Sequence, residues 1–308
     1  MNLATLRRSL LEKTGEIFHP AVWRLYDRKS RRMGIDRLYL IFSFDCDTTE
    51  DAEAARFLDP WLQERGIQRV YAVPGSQLEK DAEIYSTISL AGAEFINHGY
   101  RPHTTWNGER YISSAFYHRM TAEEIREDIR AGHAAVEKVT GAMPEGFRAP
   151  HFGTLQSTPQ MRIVIEEIRK MGYRFSTQTL PENGFYHGPI WNRQGVWEFP
   201  LCGSAFSPFV LLDSYGLIFS SQRREVTDEY ARRLQATLQY LREKNIAGIL
   251  NIYADPSHIT HNQAFLDVMD GFSRMAIPSL TFKRASPSLR IKSKLALAAR
   301  CCCCLPEK

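Results

Sequence analysis

Two acids separated by one residue, Asp45 and Asp47 in "FSFDCD", close an apolar run that begins at Arg37. Residues two apart on a strand point the same way, so both carboxylates reach one site if the strand continues through them. Such neighbours repel unless a cation or a proton lies between them. One acid could instead cap a following helix, a role open to Asp47, Thr48 or Thr49. A cap accounts for one acid, but not for two together with a histidine pair further along. That pair is His98 and His103 in "NHGYRPHTTW". Imidazole with carboxylate is a common ligand set for zinc and related divalent ions. A separation of five residues keeps the histidines off one helical face, and Pro102 opposes a helix there, so a loop bent at Gly99 must bring them together.

Asp47, His98 and His103 as three ligands would leave coordination positions open for water and substrate, as in a catalytic rather than a structural zinc site. A cation there would polarise a carbonyl oxygen and acidify water, leaving Asp45 to take the proton. Arg148 in "EGFRAPH" suits the task of holding Asp45 ionised and oriented. A general acid for the leaving group is expected at His258, with His151 the alternative.

The elements that must position these groups are legible as hydrophobic patterns. "RLYLIFSF", "QRVYAVPG", "AEFINHG", "EGFRAPH", "YRFSTQT", "GVWEFPL", "AGILNIYADP" and "IPSLTF" read as strands. Helical patterns lie between most of them, over Glu50–Arg65, Gln77–Ala91, Thr121–Val139, Pro159–Met171 and Thr227–Lys244, with "TAEE" at Thr121 matching a capping box. Alternation of this kind predicts an α/β fold, a (β/α) barrel of seven or eight mainly parallel strands over residues 36–283. A basic helical extension, 1–35, precedes it and a basic tail, 284–308, follows. Parallel βα units bring the carboxyl ends of all strands to one face. Asp45 and Asp47, His98, Arg148 and His151, and Asp255 and His258 all fall at or just after such ends.

With these motifs in order, the chain resembles the polysaccharide deacetylases with the NodB homology domain, carbohydrate esterase family 4, from about Tyr39 to Phe282. "FSFDCD" is similar to that family's first motif, with a catalytic acid and a metal-binding acid spaced as Asp45 and Asp47 are. "NHGYRPHT" is similar to the second, which supplies two metal-binding histidines, and "GFRAPHFG" to the third, whose arginine contacts the catalytic acid. "GYRFSTQT" and "LNIYADPSHI" occupy the order of the last two. The resemblance implies a distorted barrel and hydrolysis of an N-acyl group from an amino sugar. Three departures stand out. His98 and His103 have four residues between them where the family usually has three; Ser176 stands where an aspartate is common; and the final His-Pro reads Asp255-Pro256, with His258 three residues later.

The expected function is therefore metal-dependent removal of an acetyl or formyl group from an amino sugar in a glycan, lipid-linked or nucleotide-linked precursor. Zn2+ is the expected cofactor, with Mn2+, Co2+ or Ni2+ as alternatives. Trp106, Tyr111, Trp191 and Tyr215 are candidates to stack on sugar rings, although core packing serves each equally well. Alternatives are a catalytically altered carbohydrate-binding relative and a related barrel amidase acting on a non-sugar amide. The net charge of +4 is uneven: residues 1–36 hold eight Lys/Arg against four Asp/Glu, residues 280–308 seven against one, and the remainder is net −6. An acidic body argues against a nucleic-acid groove. The basic ends, with Leu3, Leu6 and Leu10 at helical spacing beside Arg7 and Arg8, are compatible with peripheral attachment to an anionic membrane surface. No secretory signal or membrane-spanning run is evident, so the expected location is cytoplasmic, possibly at the inner membrane surface. Cys301 to Cys304 read as a tail rather than a disulfide framework.

Overall fold

The computed structural model describes residues 3–156, 158–217 and 226–286; the side chains of residues 3–5 are not described. The cysteine run and most of the predicted tail lie outside the described residues. The chain forms β1 (Leu38–Asp45), β2 (Val70–Val73), β3 (Glu94–Asn97), β4 (Thr104–Trp106), β5 (Tyr111–Ser113), β6 (Gly146–Phe147), β7 (Phe175–Ser176), β8 (Trp191–Arg193), β9 (Val196–Glu198) and β10 (Gly248–Ala254). Eight strands make one curled sheet in the order β10-β1-β2-β3-β6-β7-β9-β8, while β4 and β5 form a separate hairpin. All neighbours in the large sheet are parallel except β8 and β9. The result is a half-barrel, the distorted (β/α) barrel expected from the alternation.

Alternation along β1 sorts its side chains into two environments. Leu40, Phe42 and Phe44 join the large cluster under the helices, whereas Ile41 joins Val70, Ala72, Ile96, Phe175 and Ile249 inside the curl. Ser43 and Asp45 share the parity of Ile41. The same count on β3, β6 and β10 turns His98, Arg148 and Asp255 towards the interior, so the barrel's apolar lining becomes polar at the carboxyl ends. Ile35 and Phe282 join the apolar lining, with the Phe282 ring 5.3 Å from Phe175 and 5.2 Å from Phe199.

The open side of the curl is sealed by other means than a strand ladder. Cys202 N–H donates to Asn251 O at 2.8 Å, and the Asn251 side-chain amide donates to Thr177 Oγ1, Phe199 O and Pro200 O at 3.0–3.1 Å. The helix Leu3–Arg32 completes the seal. Tyr26 donates its hydroxyl proton to Ile249 O at 2.6 Å and Trp23 Nε1 donates to Ala205 O at 2.8 Å, with both rings packed on Phe185. A Cβ at Gly248 would lie 2.3 Å from the Tyr26 ring, so glycine is what lets the helix approach β10.

Three local expectations differ from the structure. "IPSLTF" makes an isolated bridge, Leu40 with Ser279, and then enters the helix Phe282–Ala285 capped by Thr281, because Pro278 has no N–H to extend a ladder. The pattern over Gln77–Ala91 is two helices, Gly75–Lys80 and Ala82–Leu90, broken at Asp81 where ψ is 38°. β1 stops at Asp45, so Asp47 lies in the following loop. Thr121 does cap the helix Ala122–Thr140, with a reciprocal box to Glu124.

Trp23 is 1 % exposed. Trp23→Ala should therefore cost about 3–5 kcal/mol in urea unfolding, the range for a buried Trp truncation; a loss below about 1 kcal/mol would show the helix to be an appendage.

Candidate active site

Asp45 closes β1 against Arg148, which follows β6. The two are joined by a charge-assisted hydrogen bond from an Arg148 terminal nitrogen to Asp45 Oδ1. Arg148 is fully buried; its other terminal nitrogen donates to Ser43 Oγ at 2.7 Å and its Nε to Thr177 O at 3.3 Å. Burial pushes the Asp45 carboxyl up to about 6 against the pull of Arg148. The guanidinium carbon sits 5.2 Å from the centre of the Tyr253 ring, which lends it a further favourable surface.

Asp47 is released for the site because another residue caps the helix Thr49–Glu64. Thr48 is the N-cap, paired reciprocally with Asp51, and Asp51 Oδ2 also accepts the Asp47 N–H at 3.1 Å. Asp51 is wholly buried and its other oxygen accepts from Ser257, tying the Asp47 loop to the Asp255–His258 segment. Thr48-x-x-Asp51 is a capping-box pattern in which the sequence reading overlooked the acid.

The histidine loop is held from beneath by Asp128, another residue missed in the sequence. Asp128 accepts from Arg101 N–H at 2.8 Å and from the Tyr117 hydroxyl at 2.6 Å. Gly99 has φ +79°, and a Cβ there would meet Asp128 Oδ2 at 2.4 Å. The turn brings the two histidine rings to 4.3 Å of one another. His98 Nδ1–H donates to Arg148 O at 2.8 Å, leaving the Nε2 lone pair facing the cleft, 3.7 Å from Asp45 Oδ2. Burial drives His98 well below its ordinary pKa, so it is neutral and competent as a ligand.

Asp47, His98 and His103 each offer a ligand atom, all within 4.8 Å of one another. Asp47 Oδ1 is 3.1 Å from His103 Nδ1 but not aligned with it as a hydrogen bond. Burial alone would raise Asp47, yet His103 outweighs it and holds the carboxyl below its usual range. The reverse pull, opposed by burial, raises His103. Asp47 Oδ1 and His103 Nε2 remain buried without a hydrogen-bond partner. Buried orphans of this kind are costly, and a divalent cation would satisfy them. The residues fit the metal implied by the sequence.

Across a cleft of about 620 Å³ lie Asp255 and His258. Asp255 N–H donates to Ser214 Oγ at 2.9 Å, and the same hydroxyl is hydrogen-bonded to His258 Nδ1 at 3.0 Å. His258 Nε2 is 3.4 Å from Asp255 Oδ2. His151 also lines the cleft, but its Nε2–H is spent on Ser114 O at 2.7 Å and His103 O at 3.2 Å. Its use as an acid through that nitrogen is excluded by this arrangement. Ser176 donates to Glu198, and Glu198 does not reach Arg148; Glu198 Oε1 instead accepts from Gln178 N–H, Thr179 N–H and Thr179 Oγ1, each at 2.9 Å. Tyr111 and Tyr215 line the cleft. Trp106 is exposed on the β4–β5 hairpin, 5.1 Å from the Tyr111 ring. Trp191 is on the edge strand β8, stacked on His187 at 4.1 Å and away from the cleft, because the sheet carries β8 to its far end.

Residues 36–176 match the family described as polysaccharide deacetylase. No curated protein matches the chain. Among solved structures, a protein from Mycobacterium smegmatis assigned by description to the polysaccharide deacetylases is 16% identical, over 84% of this chain and 92% of that one, with a TM-score of 0.63. A peptidoglycan deacetylase from Bacillus subtilis is 14% identical over 86% and 98% of the two chains, TM-score 0.48. A family 4 acetyl xylan esterase from Clostridium thermocellum, solved with cobalt, is 18% identical over 80% and 89%, TM-score 0.48. At these identities the first likeness speaks to the fold and the other two are too loose to argue from. Over residues 36–176 the chain is therefore similar to the polysaccharide deacetylases, and it shares its fold with the Mycobacterium smegmatis protein.

Proposed function

We propose that this protein is a metal-dependent N-deacylase that removes an acetyl or formyl group from an amino sugar in a glycan, lipid-linked or nucleotide-linked precursor. The observation that carries the reading is the placement of Asp45, oriented by Arg148, beside the Asp47–His98–His103 group at the floor of one cleft. A binding module has no need of a buried carboxylate aimed into its cleft next to a ligand group with two orphaned polar atoms.

When bound, a divalent cation, Zn2+ in the first instance, supplies Lewis acidity for the acyl carbonyl and acidifies water. Asp45 accepts the proton of the attacking water, and Arg148 holds its carboxylate in place during the transfer. His258, acting as the imidazolium, gives its Nε2 proton to the departing amine and returns to the neutral ring, with Ser214 on its other nitrogen and Asp255 facing Nε2. Tyr111 and Tyr215 offer aromatic faces to the sugar ring, and Trp106 extends the hairpin beyond them. Asp255, where the family resemblance places a histidine, favours a second reading as a carbohydrate-binding relative without turnover. The two differ in whether any acyl release accompanies metal binding.

Metal content and acetate or formate release from a panel of amino-sugar precursors test the proposal together. Asp47→Ala and His98→Ala should lose the metal and the activity, whereas Asp45→Asn should keep the metal and lose about 10²–10⁴ in kcat. Acyl release that survives Asp45→Asn would remove the base from the account, and metal bound equally by all variants would remove the site. His258→Ala should lower kcat by about 10²–10⁴ at unchanged metal content, and Asp255→Asn by less. The opposite ranking would assign the acid to the Asp255 carboxyl.

A further inference from the structure

The helix Leu3–Arg32 carries two apolar faces, and only one is used by the barrel. Its inner face docks through Trp23 and Tyr26, and at Gly15 it presses so closely on Phe209 that a Cβ would lie 2.4 Å from that ring. On the outer face Leu6, Leu10 and Ile17 are 51%, 66% and 70% exposed. At 100° per residue these three and Lys13 fall within a narrow stripe before the kink at Phe18, and Arg24 and Arg28 lie on the segment beyond it; all six are exposed. Phe18, 57% exposed at the kink before Pro20, borders the stripe, as does Phe206, 51% exposed against His19. The acids of this helix stand off the stripe and are engaged: Glu12 with Arg8, Glu16 with Ser207, Asp27 with Arg31. Arg24 donates only to the carbonyl of Pro20 in its own helix.

We propose that this outer face is a docking surface for an anionic lipid bilayer, with Leu6, Leu10 and Ile17 entering the headgroup–acyl boundary and Lys13, Arg24 and Arg28 meeting lipid phosphates. Charge complementarity selects this occupant. Exposed Lys13, Arg24 and Arg28 on the same helix as exposed Leu6, Leu10 and Ile17 complement an anionic surface with an apolar interior. The inner face fixes the helix to the barrel, so docking needs no folding of the segment. No helix among the described residues is long and apolar enough to cross a membrane, which agrees with contact at the surface. Phe209, under Gly15, is two residues from Leu211 at the cleft wall and six from Tyr215 at its rim, so the docked helix and the cleft are neighbours along one short segment.

Flotation of the full-length protein with phosphatidylcholine–phosphatidylglycerol vesicles, and with phosphatidylcholine alone, tests this whether or not the cleft is catalytic. Wild-type protein should float with the anionic vesicles at low salt and release as salt rises. L10E/I17E should weaken partitioning about tenfold or more, and R24E/R28E should weaken it and flatten the salt dependence. Unchanged urea midpoints would confirm that both variants are folded, as expected for exposed positions. Wild-type protein that does not float overturns the proposal. So does a double variant that floats like wild type, which would place the attraction elsewhere in the chain, or a wild-type dimer broken by L10E/I17E without lipid binding, which would make the occupant a second copy.

Discussion

Everything at the cleft depends on one buried guanidinium. Arg148 is withdrawn completely from water at the carboxyl end of β6, where an uncompensated charge would cost several kcal/mol. Asp45 answers that charge, Ser43 and the Thr177 carbonyl take two more of its donors, and the Asp45 carboxylate is fixed as a consequence. The same residue acts a second time through its backbone, since Arg148 O accepts the His98 Nδ1 proton and turns the other ring nitrogen to the cleft. The proposed base and a proposed metal ligand are thus oriented by two ends of one residue. The register of β3 against β6, Asn97 with Phe147 and the Arg148 N–H on Asn97 O at 2.9 Å, sets the spacing between them.

Two further carboxylates hold the loops that strands alone do not define. Asp51 gathers the Thr48 cap, the Asp47 backbone and Ser257, so that the Asp47 loop and the Asp255–His258 segment are tied together. Asp128 anchors the turn at Gly99 between His98 and His103. Neither touches the open cleft. Their role is to give the ligand set a rigid support, which is what distinguishes a precise metal site from a chance meeting of acids and histidines.

Asp45, His98 and Arg148 were legible in the sequence because each sits at the end of a short apolar run, and a period of two fixes which way such residues face. His103 was legible only by its chemical type, since nothing in "GYRPH" tells how the loop closes. Asp47, Thr48 and Thr49 were all candidates for the helix cap; the choice rests on which side-chain oxygen reaches the Asp51 N–H, a matter of tertiary geometry. Trp191 misled because an aromatic on an edge strand has the same local pattern as one at a cleft. The seal formed by Trp23 and Tyr26 had a signal, two large aromatics three apart on a helix with Ser30 one turn on. It was overshadowed by the charge of the segment. Ser214 had none: its part depends on meeting His258 across 44 residues of chain.

The half-barrel therefore concentrates its polar interior at one end, and the chemistry proposed for it begins with a cation held by Asp47, His98 and His103. Zinc K-edge X-ray absorption of the full-length protein loaded with one equivalent of Zn2+ reads that claim directly. The account predicts a first shell of nitrogen and oxygen only, at about 2.0–2.2 Å, with outer-shell scattering from two imidazoles, and no retained zinc in His98→Ala. A sulfur shell at about 2.3 Å would put the metal on cysteine, and with it the central claim would fall.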